Sequence, residues 1–317
     1  GKAPEELKIK NADGFIKFAL GENVKQSNWG DFNTIRFPQT RMGVEQVYAD
    51  EFIRAREYDQ KMKAAGGQAE KDRIKAGGPR RDLELDAMAE ILNKKRFITC
   101  HSYVQSEVNM LMKLGDSLGF QVNTFTHILE GYKVADKMKA RNIAGSTFSD
   151  WWAYKMEVKD ATPYNGAIMY NAGLVVAYNS DDAEMARRLN QEAAKAVKYG
   201  NVPEEEALKF VTLNPARMLH LDSHMGSIKV GKDADVVLWS DNPLSIYAKA
   251  EKTIIDGVIY YDSTEDQKMR DEIRKERARI IQEMVREKNG GAPVNKPKPK
   301  RPRLYTCDDL LTDYMQD

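Results

Sequence analysis

Along this chain the spacing of apolar residues switches repeatedly between a period of two and a period near 3.6, the signature of strands alternating with helices. Gly14 to Leu20, GFIKFAL, is a short apolar run with one lysine and reads as a buried strand running into a loop. Residues 43–65 are rich in helix formers with Val47, Phe52 and Ile53 at helical spacing, and 83–93 carry Leu83, Leu85, Met88, Ile91 and Leu92 on one face. Between them, 64–81 is charged and glycine-bearing and reads as an exposed loop or as fraying helix ends. Strands are expected at 96–101, 121–127, 143–148 and 174–178. Helices are expected at 106–118, 132–140, 182–199 and 203–211, with 167–172 leading through Gly173 into the last of those strands. Such alternation predicts a parallel α/β architecture. A strand at 228–230, a tight turn at Gly231-Lys232-Asp233 and a strand at 234–239 follow, the run Val236-Val237-Leu238-Trp239 reading as buried on both faces. Residues 265–288 form a highly charged helix with sparse apolar positions at Ile273, Ile280, Ile281 and Met284. The Pro/Lys-rich 290–303 reads as a solvated linker, and 304–317 as an acidic tail.

Composition narrows the function classes without choosing one. The chain has 317 residues, enough for a large core, and 42% hydrophobic against 31% charged residues with a net charge of +1. That balance gives no reason to expect nucleic acid as a partner, and no apolar run approaches a membrane span. Cys100 and Cys307 form no framework. The chain starts at Gly1 with no signal-peptide pattern, which would place it in the cytoplasm only if Gly1 were the true N-terminus; a bacterial periplasmic location stays open.

The wording around the 231 turn is more specific than a hairpin requires. Thr212-Leu213-Asn214-Pro215-Ala216 leads into Gly226-Ser227-Ile228-Lys229-Val230-Gly231-Lys232-Asp233-Ala234-Asp235-Val236-Val237. Asp241-Asn242-Pro243-Leu244 and Asp256-Gly257-Val258-Ile259-Tyr260-Tyr261 follow. This order resembles the closing segment of the amidohydrolase superfamily, in the imidazolonepropionase-like and dipeptidase-like branches. The resemblance implies a (β/α)8 TIM-type barrel with a small β-sandwich built in part by the C-terminal segment. The expected division is barrel over 1–222, sandwich segment over 223–262, charged helix over 263–289 and linker with tail over 290–317.

Four residues stand at the C-terminal ends of expected strands, the edge on which such barrels build their sites: Lys17, His101, His127 and Asp181. With roughly 31 residues per strand–helix unit, the 26 residues from His101 to His127 are about one unit and the 54 from His127 to Asp181 about two. These would be barrel strands four, five, six and eight. The resemblance implies a lysine, carbamylated in many members, one histidine from each of two strands, and an aspartate. Together they would hold one or two divalent ions, Zn2+ first, with Asp181 also taking a proton from the metal-activated water. Either histidine alone could equally be a core residue. Asp181 directly follows its strand, whereas Asp182 is placed to cap the next helix. Tyr103, two residues beyond His101, is open to a substrate-contacting or a packing role. Arg36 and Arg41 are candidates for holding a substrate carboxylate. His220 and His224 lie in a loop-like stretch and are expected at the surface.

The chain departs from the family in having four histidines and no His-x-His pair. Barrel strands one to three, about 90 residues, are also unaccounted for. The reading is therefore the C-terminal part of a metal-dependent hydrolase acting on an amide, cyclic amide or dipeptide. It would be completed by an N-terminal half on a separate chain or missing segment, within a homo-oligomer. The rival is a non-catalytic binding or assembly subunit that docks through 265–288 and the tail.

Overall fold

A computed structural model describes residues 3–25, 37–151, 153 and 155–295. It divides into two compact units, with the boundary between Ser227 and Ile228.

The first unit is built on five parallel strands, β1 (Gly14–Ala19), β2 (Arg96–His101), β3 (Val122–Thr126), β4 (Ala144–Thr147) and β5 (Val176–Tyr178). They lie side by side in sequence order, with no reversal. A sheet wound in one direction is what a TIM-type barrel uses, whereas a doubly wound sheet switches order in its middle. Helices between the strands cover one face, and the core lies there. Phe18, Leu20, Ile98, Cys100, Phe125, Val176 and Tyr178 of the strands pack with Val44, Phe52, Leu111, Met138 and Met169 of the helices. Phe52 stacks on Phe120 with ring centroids 3.8 Å apart, joining helix Arg41–Ala64 to the turn before β3. Side chains alternate across a strand, so the opposite face carries Lys17, Thr99, His101, Thr124, Thr126 and Ser146.

That polar face corrects one expectation. Lys17 is exposed rather than buried, its side chain falling on the face away from the helices. Two helices also differ from the pattern. The stretch expected as a loop or fraying helix ends over 64–81 contains a separate short helix at Glu70–Lys75, and Arg73 is buried there with Nε donating to the Pro79 carbonyl at 2.8 Å. The helix expected over 182–199 begins as a 3-10 turn at Met185–Arg188 and becomes α-helical only at Leu189–Gly200. Asp182 does cap it, Oδ1 accepting from the Glu184 and Met185 N–H groups at 2.9 and 2.8 Å. His220 is a tie rather than a loose surface residue. It joins Asp13 at 2.7 Å and Asn123 at 3.1 Å and packs edge-on against Phe97.

The closing motif is explained by packing. Asn214 is buried, and its Nδ2 donates to the Val176 carbonyl at 2.8 Å while the Tyr178 N–H donates to the Phe210 carbonyl at 2.9 Å. The chain from Phe210 to Asn214 thus satisfies the outer edge of β5. Gly226 has φ +85°, and a Cβ there would stand 2.8 Å from the Ala216 Cβ and 3.0 Å from the Leu213 Cα. Only glycine lets this turn lie against the helix Leu213–Met218.

The second unit is an antiparallel sheet of β6 (Val236–Trp239), β7 (Ala250–Ile255) and β8 (Val258–Asp262) followed by the helix Ser263–Asn289. Asp256 and Gly257, both at positive φ, make the two-residue turn between β7 and β8. Asp262 Oδ1 caps the helix through the Thr264 N–H at 2.9 Å. Residues 228–230 form no strand, and Ile228 and Val230 are fully open. Nor is β6 buried on both faces: Val237 and Leu238 are exposed, as are Val258, Ile259 and Tyr260 of β8. The reason is that β6 is an edge strand, and the described residues of this unit supply one sheet with no second sheet facing it.

Candidate functional site

The C-terminal edge of the five-stranded sheet gathers three of the candidates. His101 ends β2 and is fully buried. His127 follows β3 directly, and the two rings meet edge to face with centroids 5.0 Å apart. Asp181 follows β5, its Oδ2 lying 3.9 Å from His127 Nε2. His127 and Asp181 both hold left-handed backbone, φ 57° and 48°. For residues with a Cβ that conformation costs roughly 1–2 kcal/mol each, and strain of this kind gathers at functional sites.

The ring of His127 is held on several sides. Phe148 stacks on it at 4.9 Å, Trp151 stacks on Phe148 at 4.2 Å, and Nδ1 lies 2.9 Å from Asn179 Oδ1. Asn179 in turn donates from Nδ2 to Ser146 Oγ at 2.5 Å. Beneath this layer Asn165, almost wholly buried, bonds the Ile128 carbonyl, Thr147 Oγ1 and the Tyr132 N–H at 2.8, 2.9 and 2.8 Å. One amide thereby joins the loop after β3 to the end of β4.

The other candidates take different places. Lys17 sits on β1 beside Thr99 of β2, on the face that carries His101. Tyr103 is fully buried, its ring edge-on to His101 at 4.7 Å and under the Lys155 ammonium at 4.4 Å. Arg41 opens a helix, and its Nε donates to the buried Glu107 Oε1 at 2.9 Å. Arg36 lies outside the described residues. Sequence reasoning passed over Asn179, Ser146 and Asn165. The signal for the first was its place two residues before Asp181, on the same side of the chain; Asn165 carried no local signal.

Two imidazoles and a carboxylate are donors of the kind that divalent metals such as Zn2+ accept. In arrangement they fall short of a closed site: among the described residues no group of three or more His, Cys, Asp and Glu side chains could hold a metal ion. Burial also raises the Glu157 carboxyl above its ordinary range, with Lys155, the Glu22 N–H and Lys25 opposing and Glu107 reinforcing that shift.

Comparison with known proteins joins this geometry to the closing motif. Over 259 residues the chain is 31% identical to the amidohydrolase tasK of Hapsidospora irregularis, covering 78% of this chain and 26% of that protein. It is 24% identical over 172 residues to the imidazolonepropionase of Thermoplasma volcanium, covering 52% and 42% respectively. The crystal structure of an amidohydrolase from Thermotoga maritima MSB8 matches at a TM-score of 0.70 and 29% identity, over 81% of this chain and 65% of that one. The chain therefore spans less than two thirds of the length of each of these relatives. The model of the amidohydrolase family matches residues 64–264, which hold β2 to β8, both buried histidines, Asp181 and the closing motif. By that match and the architecture beneath it, the chain belongs to the amidohydrolase family.

Proposed function

We propose that this chain is part of a metal-dependent hydrolase that opens carbon–nitrogen bonds in small amides, cyclic amides or dipeptides. The observation that carries the reading is the convergence of His101, His127 and Asp181 at the C-terminal edge of a parallel sheet, with left-handed backbone at two of the three. One or two divalent ions, Zn2+ first, would be held by these three and by Lys17 in carbamylated form. Such an ion supplies water acidified toward neutral pH and polarises a carbonyl. Asp181 takes the proton of the attacking water and passes it to the leaving nitrogen. Tyr103 buttresses the His101 ring, and Arg41 meets a substrate carboxylate where there is one.

The five strands would be barrel strands four to eight, and the three-stranded sheet part of a β-sandwich. The remaining strands and donors would come from a separate chain or a further segment, in a homo-oligomer. Two observations support this: the exposure of Lys17 on the face that carries His101, and the 65% share of the Thermotoga chain that is matched.

The test is the metal content of the native material, purified together with any co-bound polypeptide and weighed by native mass spectrometry, followed by hydrolysis of a panel of amides and dipeptides. Near-stoichiometric metal that His101→Ala and Asp181→Ala abolish is expected. Material that holds no metal and turns over nothing would remove the reading. The second reading, a binding or assembly subunit without catalysis, is favoured by the lack of a closed donor group among the described residues. It would be left standing by that negative result.

A further inference from the structure

Behind His127 stand two polar side chains, Asn179 and Ser146. The Asn179 backbone N–H donates to the Thr147 carbonyl at 3.0 Å, so the residue is anchored to the end of β4. Its side chain is then held at both ends, Nδ2 by Ser146 Oγ at 2.5 Å and Oδ1 by His127 Nδ1 at 2.9 Å. Ser146 is buried, and its own carbonyl accepts the Ile128 N–H at 3.1 Å, so one residue of β4 holds both the amide and the loop that carries the histidine. An amide has one accepting end. With Nδ2 turned to Ser146, the end that faces the ring is the oxygen, which accepts and cannot donate. The ring nitrogen opposite it must carry the proton. Which nitrogen of a neutral imidazole is protonated is set by the bond the other one makes.

We propose that Asn179, oriented by Ser146, is a positioning residue that fixes neutral His127 as the Nδ1–H tautomer and turns its Nε2 lone pair toward Asp181. The role of that lone pair as a ligand rests on the function proposed above; the tautomer does not. Phe148 on one ring face and the His101 ring at its edge keep the imidazole plane from turning out of this bond. A ligating histidine commonly has its second nitrogen held by an oxygen acceptor, and loss of such a partner costs roughly 10–100-fold in metal affinity.

The experiment is nitrogen-15 NMR of the full, metal-free chain labelled in its histidine rings, at a pH where they are neutral, with the His127 signals assigned by His127→Gln. The wild type should show a protonated Nδ1 and a lone pair on Nε2. Asn179→Leu should give a mixture of tautomers, while Asn179→Asp, which keeps an acceptor, should retain the Nδ1–H form. Zn2+ affinity, read by competition with a chromophoric chelator, should fall roughly 10–100-fold in Asn179→Leu. A tautomer unchanged in Asn179→Leu, or an Nε2–H wild type, overturns the proposal. If Asn179→Leu does not fold, Ser146→Ala frees the amide to turn, and an unchanged Nδ1–H tautomer there is equally fatal. A wild type that is Nδ1–H, in a protein whose assembled material also holds no divalent metal, supports this inference while removing the metal reading.

Discussion

Asn165→Leu should loosen the candidate site from below by a calculable amount. Asn165 is 1% exposed and makes three hydrogen bonds, to the Ile128 carbonyl, Thr147 Oγ1 and the Tyr132 N–H. Leucine keeps the volume and removes all three. The Ile128 carbonyl still receives the Gly131 N–H, and Thr147 Oγ1 still donates to the Phe148 carbonyl. These two losses cost about 0.5 kcal/mol each. The Tyr132 N–H loses its side-chain acceptor, at about 1–3 kcal/mol. The sum is about 3 kcal/mol, or roughly 100-fold in an equilibrium constant. Since the chain has two compact units, a single unfolding midpoint would blend them. Hydrogen exchange followed by mass spectrometry reads the right place instead. Peptides covering β3 and β4 should lose roughly 100-fold of protection, while those of β6 to β8 keep theirs. Asn171→Leu, at the exposed end of the same helix, should change protection less than about threefold. A comparably small change in Asn165→Leu would refute the argument that this amide carries the junction.

Gly226→Ala combines a positive φ with a Cβ 2.8 Å from Ala216, and should cost about 2–4 kcal/mol of local stability, read by hydrogen exchange in peptides of its own unit. Gly231→Ala, with φ +88° and nothing within 4 Å, should cost only about 1–2 kcal/mol; equal effects would show that the contact with the Leu213–Met218 helix is unimportant. Glu157 has a native carboxyl raised above its unfolded value. Its linkage therefore favours the fold below the ordinary carboxylate range, and this is lost as pH rises through the raised native value. Glu157→Gln should then gain on the wild type as pH rises above the ordinary carboxylate range, and hydrogen exchange of both proteins compared at low and neutral pH would expose an opposite sign. Asp116 pairs with Arg141 at 2.6 Å but is half exposed, and Arg141 holds its carboxyl below the usual range. Asp116→Asn should cost under about 1 kcal/mol at neutral pH, a difference that salt further shrinks.

Much of this molecule is legible one segment at a time. Strand positions in the first unit, the 83–92 and 105–118 helices, the cap at Asp182 and the turn at Gly231 follow from periodicity and from side chains reaching two or three residues along the chain. Such signals are local, so the sequence contains them whole. The placing of His101, His127 and Asp181 on one edge was also readable, because parallel winding sends every strand's C-terminal end to the same side. Burial and partnership were decided by tertiary structure. Lys17 in an apolar run is exposed while His101 on the same face is buried, and the apolar β6 is exposed because the described residues of its unit supply a single sheet. Arg41 meets Glu107 across 66 residues, and Asn179 meets His127 across 52. A side chain's partner across such distances is chosen by the packing of whole elements, and no local pattern in the chain encodes it.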